Sequence, residues 1–203
     1  MDFLKLSALL FFLTLIPVYS QSEAVLKAFE TSYQEEAKGN YFLARGALAN
    51  VYAAESYEMN LRLGWLHYML KDYSGSEGYY KKATELKPFS VEAKFGYVKP
   101  LSVLEKWNDV LRQYQDILKI DEMNGQANYW IASLFYSRKD YKNAIKYLEK
   151  VVNLYPFDYS GTLLLGWSYL QNSQPSDAKI LFGKVLLMKP GDTSALEGLK
   201  KIN

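Results

Sequence analysis

The 203-residue chain contains no cysteine and a single histidine, His67. Without cysteine the chain can form no disulfide bond, no thiolate metal site and no cysteine nucleophile. A bacterial lipoprotein anchor is excluded as well, because that modification needs a cysteine at the cleavage site. One histidine also leaves little material for a Ser-His-Asp triad. A protein of this composition has to be stabilised by packing alone.

Strong charge of either sign is also missing, since 24 Lys and Arg face 22 Asp and Glu. A nucleic-acid-binding face needs a clustered basic stripe, so no nucleic-acid partner is predicted. The motifs of zinc-binding helices, phosphate loops and dinucleotide loops are absent. Neighbouring carboxylates such as Glu35 and Glu36 diverge by about 100° on a helix and cannot converge on a substrate. The sequence therefore predicts no enzyme, no cofactor and no metal site.

The first twenty residues, "MDFLKLSALLFFLTLIPVYS", differ in character from the rest of the chain. Lys5 precedes an apolar run from about Leu6 to Val18, and the small residue Ser20 follows. This arrangement resembles a secretory signal peptide cleaved before Gln21. A comfortable membrane span needs about 20 apolar residues, and the run is shorter. Export to a periplasm or to the medium is predicted, without a stable membrane span after cleavage; an uncleaved membrane anchor is the alternative.

One tripeptide, Leu-Gly-Trp, occurs at positions 63–65 and again at positions 165–167. The separation divides into three equal steps of about 34 residues, a length typical of helical repeats. Steps of the same length join aromatic residues, since Tyr73 leads to Trp107 and Tyr141. Proline fills three of the four positions of another such column: Pro88, Pro156 and Pro190, with Glu122 in the remaining one. The chain is therefore built from a repeated unit of this length.

A fixed period of about 34 residues with a helix, a turn and a helix resembles the tetratricopeptide repeat. The resemblance rests on the Leu-Gly pairs, on a small residue that opens the second helix, at Ala144 and Ala178, and on the closing proline. It covers residues 57–190 strongly and both flanks more weakly. It implies an all-α fold, a right-handed α-solenoid of about five antiparallel helix hairpins with a C-terminal capping helix.

The sequence as a whole predicts a signal peptide over residues 1–20 and a repeat solenoid over residues 21–203. The units are a degenerate repeat at 23–56, four repeats at 57–90, 91–124, 125–158 and 159–190, and a capping helix at 191–203. A capping box formed by Ser194 and Glu197 predicts where that last helix starts.

The third repeat is irregular, because Gly96 and Pro100 lie inside its first helix. An internal proline predicts either a kink or two short helical pieces. A site where a ligand approaches the backbone between these two residues is a further interpretation.

The resemblance implies that the first helices of the hairpins line a concave groove, at the second, fifth, ninth, twelfth and thirteenth positions of each unit. The expected partner-binding residues are Leu61, Trp65, Tyr68, Phe95, Lys99, Tyr129, Tyr136, Leu163, Trp167 and Leu170. Trp167 is expected to face the groove and to point away from the stacking contacts between helices. Trp107 is expected to lie under the turn between two helices and to contribute to stability.

Aromatic and leucine side chains in the groove favour an apolar or aromatic-rich peptide or helix as the partner. They argue against the acidic peptide that chaperone adaptors of this family grip with basic residues. The sequence therefore predicts a protein-interaction module or scaffold. A glycan-binding module is the alternative, although the carboxylates and amides that sugar sites need are few near the groove: Glu58, Glu92 and Gln126. Self-association of the chain is a third interpretation.

Overall fold

A computed structural model describes residues 22–202, so the predicted signal peptide at residues 1–20 lies outside the described residues. The described part folds into eleven helices and contains no strand. The helices are α1 (Glu23–Ala37), α2 (Tyr41–Ala49), α3 (Tyr57–Met69), α4 (Tyr73–Leu86), α5 (Val91–Val103), α6 (Trp107–Ile120), α7 (Gly125–Ser137), α8 (Tyr141–Leu154), α9 (Tyr159–Gln171), α10 (Pro175–Met188) and α11 (Thr193–Ile202). Consecutive helices pair into five stacked hairpins, and α11 covers the last one. The predicted all-α solenoid with a C-terminal capping helix is confirmed.

The first helix of each later unit begins with the same kind of N-terminal cap. The capping residues follow the period of the repeat: Ser56, Ser90, Asn124, Asp158 and Asp192. In each case the side-chain oxygen accepts a hydrogen bond from the backbone N–H three residues further on, at 2.5–3.2 Å. A cap of this kind stabilises a helix by about 1 kcal/mol. The sequence-based placement of the last cap at Ser194 is wrong, because Asp192 stands in the repeating position and α11 already begins at Thr193.

The turn inside each hairpin repeats in the same way. Four residues spaced by one repeat adopt a left-handed backbone conformation, with φ between 57° and 61°: Lys71, Glu105, Lys139 and Ser173. This conformation ends a helix and lets its last carbonyl groups accept hydrogen bonds, as when the Asp72 N–H donates to the His67 carbonyl at 2.9 Å. In the first hairpin Gly39 takes this role at φ 79°, two residues out of register. The first repeat therefore differs from the others in its spacing, while its turn has the same left-handed conformation.

Close stacking of the second and third hairpins depends on two glycines. The ring of Tyr80, on α4, lies between Gly64 on α3 and Gly96 on α5. A Cβ atom at Gly64 would lie 2.9 Å from the Tyr80 ring, and one at Gly96 only 2.2 Å from it. Real Cβ atoms do not approach a neighbour so closely, so each glycine makes room for the ring.

The same arrangement returns three repeats later at the C-terminal end. Phe182, on α10, lies between Gly166 on α9 and Gly198 on α11, where added Cβ atoms would be 2.9 Å and 2.4 Å from its ring. The glycine of each Leu-Gly-Trp tripeptide is thus one wall of an aromatic contact between helices.

Helix α5 is continuous from Val91 to Val103, so the interpretation as two short pieces is wrong. Pro100 is buried close to the C-terminal end of this helix and removes only the hydrogen bond that its N–H would have donated to Gly96. The Cβ side of Gly96 is taken up by Tyr80. Packing therefore explains the glycine without a ligand.

The stack opens between the third and fourth repeats. Cα atoms of α3 and α5, of α7 and α9, and of α9 and α11 approach within 8 Å, whereas among the described helices those of α5 and α7, and also those of α1 and α3, do not. Trp130, on α7, occupies the repeat position of Gly96 and Gly198, and Tyr114, on α6, occupies the position of Tyr80. Leu164 holds the Trp130 position on α9, where α7 and α9 still approach within 8 Å, so the bulk of the indole is the feature that accompanies the wider separation. We interpret the indole of Trp130 as the reason why α7 lies further from α5.

A glycine packed against Tyr80 and a glycine with free space at its Cβ position together give a test of this packing. Gly96→Ala should lower the free energy of unfolding by about 1–3 kcal/mol, because its Cβ would overlap the Tyr80 ring. Gly78→Ala on α4 should raise it by about 0.5–1 kcal/mol, since nothing lies within 4 Å of its Cβ position and alanine favours the helix. Urea unfolding of both variants measures the difference. Equal effects of the two substitutions would contradict the contact between Gly96 and Tyr80.

Candidate binding groove

The first helices of the hairpins place most of the expected groove residues along three neighbouring pockets. Nine of the ten expected residues line at least one pocket: Leu61, Trp65, Tyr68, Phe95, Lys99, Tyr129, Tyr136, Leu163 and Trp167. The tenth, Leu170, packs against the cluster around Ala178 and Phe182 and lines none of the described pockets. The pockets are called the N-terminal pocket, the central cavity and the C-terminal pocket below.

The N-terminal pocket, about 580 Å³ in volume, lies between α1, α3 and α5 and includes Leu61, Trp65, Phe95 and Lys99. The indole N–H of Trp65 donates to Glu36 on α1 at 2.5 Å. One edge of this tryptophan therefore already has a partner in the protein, and only the rest of the ring is open to a ligand.

A buried arginine on α3 links this helix to α1 beside the pocket. The guanidinium of Arg62 donates to the Ser32 hydroxyl at 3.0 and 3.1 Å, pairs with Glu36, and lies 3.9 Å from the centre of the Tyr33 ring. Removing one partner from a buried pair leaves an uncompensated charge, which costs about 3–5 kcal/mol. Arg62 therefore serves the attachment of the first hairpin rather than a ligand.

The central cavity, about 770 Å³ in volume, fills the opening between α5 and α7. Three of the expected residues line it, namely Tyr68, Phe95 and Lys99. Three large apolar residues of the same wall are not among the residues expected from the sequence. They are Val103, Trp107 and Trp130, which are 45%, 45% and 44% exposed. A cavity of this size is in the usual range of ligand sites, about 300–1,000 Å³.

The structure corrects the expectation for Trp107. This residue begins α6 and is half-exposed at the cavity, instead of being covered under a turn. The aromatic column of Tyr73, Trp107 and Tyr141 indicated a common position but not its burial, which depends on the neighbouring repeat. The sequence does indicate that the position of Trp130 is unusual. The sixth position of the unit changes from glycine in the third repeat to tryptophan in the fourth.

Two cations, the amide of Gln126 and several hydroxyl groups make up the polar part of the central cavity. Lys99 lies on α5, Arg138 follows the end of α7, and no carboxylate of the described residues lines the cavity. The Arg138 guanidinium donates to the Asn108 amide oxygen at 3.2 Å. Burial raises the pKa of the Tyr114 phenol to about 12, so the floor of the cavity stays neutral near physiological pH.

The C-terminal pocket, about 540 Å³ in volume, collects Tyr129, Tyr136, Leu163 and Trp167 beside the capping helix. The indole N–H of Trp167 donates to the Ser194 hydroxyl on α11 at 2.9 Å. Its ring meets Phe182 edge to face at 5.3 Å. The expectation that Trp167 points away from the stacking contacts is therefore wrong, because α11 packs on it.

The cap of α11 is an ionised carboxylate. Hydrogen bonds from the Tyr159 hydroxyl and the Ala195 N–H, together with Lys189, lower the pKa of Asp192 to about 2 from its usual 3.8. The carboxylate therefore keeps its charge through the neutral range and holds α11 over Trp167.

The single histidine lies in the last turn of α3, and its side chain contacts the capping residue of α4. His67 Nδ1 lies 2.7 Å from Asp72 Oδ2, and the other oxygen of this carboxylate caps α4 by accepting from the Gly75 N–H at 3.0 Å. Within residues 22–202, no three histidine or carboxylate side chains converge as a metal site would require. None of the described helices is long and apolar enough to cross a membrane.

The corrected positions of two tryptophans reverse the expected effects of their removal. Trp167→Ala should lower the free energy of unfolding by about 2–3 kcal/mol, because it removes the contacts with Phe182 and Ser194. Trp107→Ala should cost less than about 1 kcal/mol, since nearly half of that side chain is in water. Denaturant titration of the two variants gives both values. A larger loss for Trp107→Ala would contradict the burial described above.

Tetratricopeptide-repeat family models match residues 32–91 and 126–158. The stretch between them contains the irregular third repeat. No curated protein matches the chain in sequence.

Several solved structures share the fold. MamA from Desulfovibrio magneticus RS-1 is 16% identical, with 86% of this chain and 99% of that chain covered and a TM-score of 0.73. A tetratricopeptide repeat protein from Parabacteroides merdae ATCC 43184 is 15% identical, with 89% and 73% covered and a TM-score of 0.77. YrrB, described as a tetratricopeptide-repeat protein with an unusual peptide-binding site, is 14% identical, with 87% and 92% covered and a TM-score of 0.71. The chain therefore carries tetratricopeptide repeats at residues 32–91 and 126–158 and has the fold of a tetratricopeptide-repeat solenoid.

Proposed function

We propose that this protein is an exported interaction module, a scaffold that binds a peptide or helix of another protein in its aromatic groove. The observation that carries the proposal is the row of three pockets along α3, α5, α7 and α9, with the central cavity open between two half-exposed tryptophans. Large aromatic side chains in such positions are the usual anchors of protein interfaces.

The lining of the groove favours a protein partner over a glycan. Sugar sites combine aromatic faces with carboxylate and amide groups that bond the hydroxyls of the sugar. Gln126 is the only amide of the central cavity among the described residues, and no described carboxylate accompanies it. The solved structure of YrrB supports the proposal as well, because that protein of similar fold has a peptide-binding site.

A binding role rather than a catalytic one agrees with the chemistry of the described residues. The one histidine is engaged in a turn with Asp72 and lines none of the described pockets. No cofactor is part of the proposal.

Export is proposed from residues 1–20 alone. A processed protein should begin at Gln21 when the full gene is expressed in its native cell. Amino-terminal sequencing of protein from the soluble envelope or medium gives the answer directly. An intact Met1 on protein released only by detergent would instead indicate a membrane anchor.

Photo-cross-linking in the native cell tests the groove. A benzoylphenylalanine residue at Tyr129, within the groove, should capture a protein partner. The same residue at Lys142 or Lys146 is the matched control, because both side chains are exposed on α8 and line none of the described pockets. Mass spectrometry of the adducts identifies what was captured.

The outcomes separate the alternatives. A distinct protein captured from Tyr129 and not from α8 supports the proposal. A second copy of the chain captured there would make the protein a self-associating scaffold. Adducts from α8 alone would contradict a partner site in the groove.

A further inference from the structure

The tryptophans of the central cavity differ from those of the two neighbouring pockets, because only the neighbouring ones have hydrogen-bond partners within the described protein. In the N-terminal pocket Trp65 already donates to Glu36, and in the C-terminal pocket Trp167 already donates to Ser194. For Trp107 and Trp130 no side-chain hydrogen bond is found among the described residues. Two indoles remain about half in water, beside a cavity of about 770 Å³. Apolar surface of this kind is stabilised when a ligand removes it from water.

The charges around the three pockets also differ. The N-terminal pocket, which shares Lys99 with the central cavity, also includes Glu58 and Glu92, and Lys201 of the C-terminal pocket is paired with Glu197 at 2.9 Å. At the central cavity, Lys99 and Arg138 have no carboxylate within 4.0 Å among the described residues. One cation belongs to α5 and the other to the end of α7, so the two lie on opposite walls of the opening.

We infer that the central cavity binds one large apolar side chain of a peptide partner, and that a carboxylate next to this side chain in the peptide pairs with Lys99 or Arg138. The inference rests on the proposed function, since it names the chemistry of the partner of that groove. The apolar side chain fits between Trp107 and Trp130, in the opening between α5 and α7. The carboxylate is attracted to cations that lack an internal counter-ion, while a basic peptide is repelled by them.

A pair of fluorescent probes tests the site without the partner. The first probe, 8-anilinonaphthalene-1-sulfonate, is an apolar anion, and N-phenyl-1-naphthylamine is the same ring system without the charge. The purified protein should bind the anion more tightly than the neutral probe, with energy transfer from the tryptophans.

Three variants assign the binding to the cavity. Trp130→Ala should weaken both probes by about tenfold or more, because it removes one wall of the site. The double variant K99Q/R138Q should weaken the anion by about fivefold and leave the neutral probe unchanged. The charge-matched control, K142Q/K146Q, should change neither, since both lysines lie on α8 outside the described pockets.

Ser133→Phe keeps the test valid if Trp130→Ala unfolds the protein. Ser133 lines the cavity, and a phenyl ring at this position should fill the cavity from within and exclude both probes. Thermal unfolding of every variant shows which ones remain folded. Unchanged binding of the anion to folded Ser133→Phe, or an equal loss in K142Q/K146Q and K99Q/R138Q, would overturn the inference.

A displayed library of random peptides tests the peptide chemistry. Selection on the purified protein should enrich a large apolar residue next to Asp or Glu, and selection on Ser133→Phe should lose this motif. Enrichment of basic peptides, or of the same acidic motif on Ser133→Phe, would contradict the inference. The proposed function would survive that result if Tyr129 still captured a partner in the cell, so the two can fail separately.

Discussion

Close stacking at two points of the solenoid depends on one contact, an aromatic ring from the second helix of a hairpin that enters a gap left by glycine on the following helix. Tyr80 makes this contact with Gly96, and Phe182 makes it with Gly198. Each ring also rests on a glycine of its own hairpin, so three consecutive helices approach one another closely. Because hairpins in a solenoid contact only their neighbours, the quality of this contact decides locally how tightly the stack closes.

The candidate site lies at a point of the stack where this contact between an aromatic ring and a glycine is missing. In the fourth repeat Trp130 stands where Gly96 and Gly198 stand, and the Tyr114 ring of the preceding helix packs against Phe95 on α5 at 6.1 Å. The opening exposes Trp107 and Trp130 and leaves Lys99 and Arg138 facing a cavity without a carboxylate of the described chain. On this account a single change of residue size converts a stacking contact into a site of ligand dimensions.

Much of the fold could be predicted from the sequence, because the period of the repeat is a local pattern that survives substitution. The Leu-Gly pairs, the closing prolines and the groove positions on the first helices follow from that period. Three details could not be predicted from it. Trp167 is covered by α11, and Trp107 is uncovered, because burial depends on the residues of the adjoining unit rather than on the position in the repeat. The cap of α11 was misplaced because Asp192 and Ser194 are both good capping residues, and only comparison with Ser56, Ser90, Asn124 and Asp158 selects the first.

The most direct measurement of the central claim is the crystal structure of the Trp130→Gly variant beside that of the native protein. If Trp130 holds the stack open, the Tyr114 ring should enter the new gap as Tyr80 and Phe182 enter theirs. Cα atoms of α5 and α7 should then approach within 8 Å, as those of α3 and α5 do, and the cavity should close. A variant in which α5 and α7 stay apart around a cavity of about 770 Å³ would contradict the account.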